Sequence, residues 1–123
     1  MTVMELVKDL EEKLDLPPEY HGAVERLVPP LMEDLAQRGV TFDEHGSLGV
    51  VSHLMALVKR METGERVKSL GDDVLDQLDE GSIEIARQVL RPLEEAYAMT
   101  LDQSELALVT IHVQTALMKL GKA

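Results

Sequence analysis

The sequence predicts an all-α bundle, and three observations carry that expectation. Apolar residues recur at helical spacing through most of the 123 residues. Aromatic residues make up only 2% of the chain, so the core must come from leucine, valine, alanine and seven methionines, which suits packed helices better than sheets. No segment alternates with the period of a strand, and no tandem repeat or low-complexity tract interrupts the pattern.

Thr2 and Glu5 form a capping-box pattern, and Val3, Leu6, Val7, Leu10 and Leu14 keep helical spacing, which predicts a first helix to about Asp15. Leu16-Pro17-Pro18 ends it, because the residue before a proline avoids helical dihedrals while a proline suits the first turn of the next helix. The second stripe is Tyr20, Ala23, Val24, Leu27, Val28, Leu31 and Leu35. Pro29 and Pro30 fall inside it, and because the stripe keeps its phase across them a kink is expected rather than a break. Arg38-Gly39 supplies a cation in the last turn and a left-handed cap, and Val40 to Gly46 reads as a loop.

The central helix is expected from about Ser47 to Thr63-Gly64. Val50, Val51, Leu54, Met55, Leu57, Val58 and Met61 share one broad arc, with His53 and Arg60 together at its edge, seven residues apart. The stretch that follows, Glu65 to Ser82, offers only Val74, Leu75 and Leu78 to bury, enough for one short helix. Ser82 can cap a long helix along Ile85, Ala86, Val89, Leu93, Ala96 and Tyr97, which Pro92 should bend without ending. Thr100 and Gln103 suggest another capping box for a final helix that runs to Leu120 before Gly121. On it, Glu105 and His112 repeat the seven-residue spacing, with the opposite charge beside the histidine.

Composition narrows the function classes. A chain of this length can bury a self-sufficient core as one domain, residues 1–46 supplying the N-terminal helices and 47–123 the remainder. The absence of cysteine removes disulfides, zinc–thiolate sites and cysteine nucleophiles, and suits a reducing compartment. There is no apolar run of membrane-span length, and the acidic amphipathic N-terminus does not resemble a signal peptide, so a cytoplasmic location with no membrane partner is expected. With 23 acidic against 12 basic residues and a formal charge of −11, direct nucleic-acid binding would need a local basic patch. Lys59, Arg60 and Arg66 come nearest to one, but Glu62 and Glu65 sit among them.

Of the four histidines, His21 near a helix start and His45 in a polar loop read as ordinary exposed residues. His53 taken alone reads as a satisfied helix residue. His112 lies on the buried arc of its helix, where a polar ring must find a partner in Glu105 or on a neighbouring helix. If the two helices pack side by side, His53, Arg60, Glu105 and His112 converge in one small polar pocket. Three chemistries suit such a pocket: a ring nitrogen that accepts a phosphoryl group from another phosphohistidine, a divalent metal held by two histidines and Glu105, and acid–base catalysis. The last is accompanied by no nucleophile elbow, glycine-rich phosphate loop or paired-carboxylate motif, and an HExxH metal motif is also absent.

At these residues the sequence resembles the PTS regulation domain (PRD), the module found in sugar-operon antiterminators and transcriptional activators under phosphotransferase-system control. The first family signature, roughly DHIxFAIxR before a glycine-containing turn, is similar to Ser52-His53-Leu54-Met55-Ala56-Leu57-Val58-Lys59-Arg60 with Gly64 after it. The second, roughly DExGFIALH, is similar to residues 102–112, Asp102 to His112. The resemblance covers about Ser47 to Leu120 and implies a compact five-helix bundle, with two antiparallel helix pairs, that forms a symmetric homodimer. It implies His53 and His112 as phosphoryl acceptors, Arg60 and Glu105 as supporting residues, no catalytic role and no cofactor. The implied partners are the histidine phosphocarrier protein, a sugar-specific IIB component, or both, together with a transcriptional regulator. Ser52 departs from the aspartate that usually precedes the first histidine. A single such domain carries no RNA- or DNA-binding part, so its output must pass through a partner.

Overall fold

The computed structural model describes residues 2–65 and 73–121, and all regular structure among them is helical. The helices are α1 (Val3–Lys13), α2 (His21–Gln37), α3 (Glu44–Thr63), α4 (Glu80–Tyr97) and α5 (Gln103–Lys119), with 3-10 turns at Pro18–Tyr20 and Leu75–Gln77. This is the all-helical bundle of five helices that the apolar spacing predicts.

Four of the helices begin where a side-chain oxygen accepts an amide that the helix itself leaves without a partner. In α1 it is the expected capping box, with the Glu5 amide donating to Thr2 Oγ1 at 3.1 Å and the Thr2 amide to Glu5 Oε1 at 3.3 Å. The other three caps are aspartates rather than the serine and threonine expected. Asp43 accepts from the Gly46 amide at 2.7 Å, Asp79 from the Ser82 amide at 3.0 Å, and Asp102 from the Ser104 amide at 2.8 Å. An aspartate accepts as well as serine and adds a negative charge at the positive end of the helix dipole. Helix α3 therefore starts at Glu44, ahead of Ser47, and His45 belongs to its first turn rather than to a loop. Ser82, expected as a cap, is buried in the first turn of α4, where its hydroxyl donates to Asp79.

The stops follow the sequence more closely. Helix α1 ends at Lys13, short of Asp15, which itself takes a left-handed φ of 53°. Gly39 and Gly64 take φ values of 83° and 78°, which only glycine adopts without strain. Helix α2 runs through Pro29 and Pro30, and α4 through Pro92, without interruption. Residues 66–72, including Arg66, lie outside the described residues. The rest of that stretch forms a 3-10 turn over Leu75–Gln77 in place of the short helix expected, with Val74, Leu75 and Leu78 half-buried.

The long helices pack in antiparallel pairs. The Tyr20 phenol at the start of α2 is pushed up by burial and by Glu19, Glu65 and Glu62, the latter two placing the end of α3 beside it. The Asp79 amide at the start of α4 donates to Gln114 Oε1 near the end of α5 at 2.7 Å. Lys119 on α5 pairs with Asp43 before α3 at 3.2 Å, so those two helices also run in opposite directions. All seven apolar residues expected on the arc of α3 are buried, and they join residues of the other four helices in one core. No helix among the described residues is long and apolar enough to cross a membrane.

Leu54 is fully buried at the centre of this arrangement, whereas Leu48, earlier on the same helix, is 43% exposed. Leu54→Ala should therefore lower unfolding stability by about 2–5 kcal/mol and Leu48→Ala by about 0.5 kcal/mol or less in denaturant titrations. Equal losses at the two positions would contradict this core.

Candidate functional site

The site is built on α3 and α5. Arg60 donates from Nε to Glu105 Oε2 and from Nη2 to Glu105 Oε1, both at 2.7 Å, a bidentate pair in which the two planar groups match. The side chains are 19% and 7% exposed, so the pair is largely withdrawn from water and each charge depends on the other. Two turns along each helix, about 10 Å away at 1.5 Å per residue, the antiparallel register brings His53 opposite His112. Their ring centroids are 5.7 Å apart with an interplanar angle of 46°. The four polar residues of the two equal spacings thus come together, and Glu105 serves Arg60 rather than His112.

Both imidazoles are held below the ordinary histidine value of 6.5. For His53 the first cause is burial, followed by repulsion from His112 and Arg60, with Glu105 opposing. For His112 the cause is burial. Both rings are therefore neutral at pH 7, the form in which a ring nitrogen has a lone pair to offer a phosphorus centre or a metal.

The rings differ in access. His53 Nε2 is buried and has no hydrogen-bond partner among the described residues. Ser52 does nothing to orient that ring, because its hydroxyl donates to the Leu48 carbonyl of its own helix at 2.7 Å. His112 borders a groove of about 590 Å³ between the start of α3 and the end of α5, lined also by Phe42, Asp43, Ile111 and Lys119. Gly49 is the neighbour that sequence reasoning missed. A Cβ there would lie 3.3 Å from His112 Cε1, so this mid-helix glycine leaves room for the ring. Its signal in the sequence was only that glycine inside a helix costs up to about 1 kcal/mol and usually has a packing reason.

One of the remaining expectations needs correction. His21 is not an ordinary exposed residue: it is half-buried, and its Nε2 donates to the Leu16 carbonyl at 2.8 Å. Of the three chemistries, the metal reading finds no support in the geometry, since His53, His112 and Glu105 do not gather as a ligand set among the described residues. Among the described residues, the acidic and histidine group whose donor atoms lie within 4.8 Å of one another is Glu11, His21 and Glu25. His45 is exposed, as expected.

Fold and site define the class first: an all-helical bundle that presents two neutral histidines from facing helices beside a buried ion pair. The family model of the PRD domain matches residues 32–116, and the chain belongs to that family of phosphotransferase-system regulatory domains. Neither a curated protein nor a solved structure matches the chain.

Removing one member of the Arg60–Glu105 pair should cost about 3–5 kcal/mol, because the other charge is left buried without a partner. Glu105→Leu alone should show this loss in denaturant unfolding, and Arg60→Met with Glu105→Leu should recover most of it. An additive double variant would mean that the pair is not coupled. The histidines set a second expectation. Their folded-state values lie below 6.5, so the unfolded chain binds more protons in that range and stability must fall as pH drops below about 6.5. Thermal melts from pH 7.5 to 5 should show that fall in the wild type and a shallower one in His53→Gln/His112→Gln; parallel curves would be inconsistent with buried neutral rings.

Proposed function

We propose that this chain is a regulatory domain reversibly phosphorylated on His53 and His112 by the histidine phosphocarrier protein or a sugar-specific IIB component. Phosphorylation then controls transcription or antitermination of a sugar operon through homodimerisation or binding of a regulator. In this reading the chain acts as one domain, with residues 1–46 as the N-terminal helices and 47–123 as the core, and it is not an enzyme. The observation that carries the reading is the pairing of two neutral histidines, 5.7 Å apart, on the residues that resemble the two PRD signatures.

The chemistry is a displacement at phosphorus. A neutral ring nitrogen of the acceptor attacks the phosphoryl group of a donor phosphohistidine; a new N–P bond forms as the donor's N–P bond breaks and its nitrogen takes back the electron pair. The acceptor ring then sheds the proton on its other nitrogen, or holds it as a cation. His112 is favoured as the first acceptor because it borders the groove, whereas His53 has its Nε2 buried. The new group brings about −1.5 to −2 charges, by analogy with other phosphorylated side chains. It enters between α3 and α5, two turns along each helix from the Arg60–Glu105 pair, where the second ring stands 5.7 Å away. An interface with a small energetic margin is reset by such a change of charge.

One observation favours a second reading, a pure interaction module. With Ser52 in place of aspartate and its hydroxyl bonded to its own helix, no carboxylate at that position orients the His53 ring. The two readings separate in intact-mass spectra at neutral pH, taken after incubation with phosphoenolpyruvate, enzyme I and the histidine phosphocarrier, with and without a IIB component. Acid-labile phosphoryl addition should appear in the wild type, fall sharply in His112→Ala, and vanish in His53→Ala/His112→Ala while helical circular dichroism is retained. Absence of addition with every donor would replace the phosphorylation reading by the interaction module.

A further inference from the structure

A second cluster of titratable side chains lies where α1 meets the start of α2, outside the segment matched by the family model. His21 and Glu25 are four residues apart and share a face of α2. Glu11 reaches them from the last turns of α1, across the Pro17-Pro18 bend. One donor atom from each of the three lies within 4.8 Å of the other two.

The protonation pattern of this cluster is fixed by one hydrogen bond. A carbonyl only accepts, so the 2.8 Å contact between His21 Nε2 and the Leu16 carbonyl places the ring proton on Nε2. In the neutral ring Nδ1 then carries a lone pair, and it faces Glu11 Oε1 at 3.7 Å. That distance is too long for a hydrogen bond. It is close to the separation of two ligands on one metal ion, about 3.3–3.6 Å for donors 2.0–2.2 Å from the ion at a tetrahedral angle. An imidazole whose far N–H is given to a backbone carbonyl is also the usual outer-shell arrangement of a metal-bound histidine.

Glu11 supplies the independent observation. It is only 6% exposed, and its Oε2 is buried with no hydrogen-bond partner among the described residues. A second carboxyl, Glu25, stands beside it. A divalent cation held between the two carboxyls and the imidazole would give the buried Glu11 oxygen a partner.

We infer that Glu11, His21 and Glu25 form a binding site for a divalent transition-metal ion of the zinc type, which clamps α1 to α2. Two carboxylates and one imidazole favour such an ion over magnesium or calcium, which prefer all-oxygen sites. His21 and Glu25 are half-buried, so the remaining positions on the ion are open to water. The site is separate from the α3–α5 histidines and does not depend on their phosphorylation.

The test is calorimetric titration of the chelator-stripped full chain with zinc chloride at pH 7, paired with thermal melts. One equivalent should bind and raise the melting temperature, and His53→Ala/His112→Ala should bind it equally well. Affinity should drop by about tenfold or more in both Glu25→Gln and His21→Gln, each checked for helical circular dichroism. Glu25 is half-buried, so its variant keeps the test independent of whether Glu11 variants fold. No saturable binding, unchanged affinity in Glu25→Gln, or loss of zinc only when His53 and His112 are removed would each overturn the assignment.

Discussion

The buried ion pair between Arg60 and Glu105 is the constraint around which the rest of the site is arranged. A guanidinium and a carboxylate withdrawn from water have only each other to offset their desolvation, and the two 2.7 Å contacts allow little sliding between α3 and α5. Those helices run antiparallel, so fixing Arg60 against Glu105 also fixes what stands two turns further along each. The residues there are His53 and His112. The histidine pairing is in this sense a consequence of the charge pairing, and the apolar arc of α3 supplies the packing that makes the register rigid.

Within that frame the two rings are unequal by local detail. Gly49 gives His112 space on its α3 side, and the groove toward Lys119 and Ile111 gives it an approach from outside. His53 sits deeper, between its own apolar arc and the other ring, and Ser52 turns back into the helix. Burial, together with the mutual repulsion felt by His53, keeps both rings neutral, so their nucleophilic form requires no base to remove a proton first. Neutrality is thus a product of packing rather than of a dedicated partner residue.

Much of this was legible in the sequence, because helical period and burial are tied by geometry. The arc of α3, the unbroken phase across Pro29 and Pro30, and the matched seven-residue spacings followed from angular position, and the stop glycines from the left-handed cap that glycine adopts without strain. The starts of three helices were less legible. Asp79 and Asp102 cap where Ser82 and Thr100 were expected, and Asp43 starts α3 ahead of the expected Ser47, since each stretch holds two side chains able to accept an amide and only the fold decides which one does. His21 was misplaced for a different reason. Its partners Glu11 and Leu16 lie beyond the Pro17-Pro18 bend, and the return angle of a chain at such a bend is not contained in any periodic pattern.

The acidity of the chain gains a sharper meaning from these positions. Most of the described carboxylates are exposed and solvated, and among the described residues only Glu11 and Glu105 are buried, each at a contact between helices. Glu105 has a bidentate partner on the facing helix. Glu11 has a distant imidazole, a second carboxyl and one oxygen with nothing bonded to it. These two buried carboxylates mark places among the described residues where charge as well as apolar contact bears on how helices meet. The proposed phosphoryl group adds an anion two turns from the first; at the second, the inferred metal supplies a cation. Both lie at helix–helix contacts, where a change of charge bears on how the helices pack.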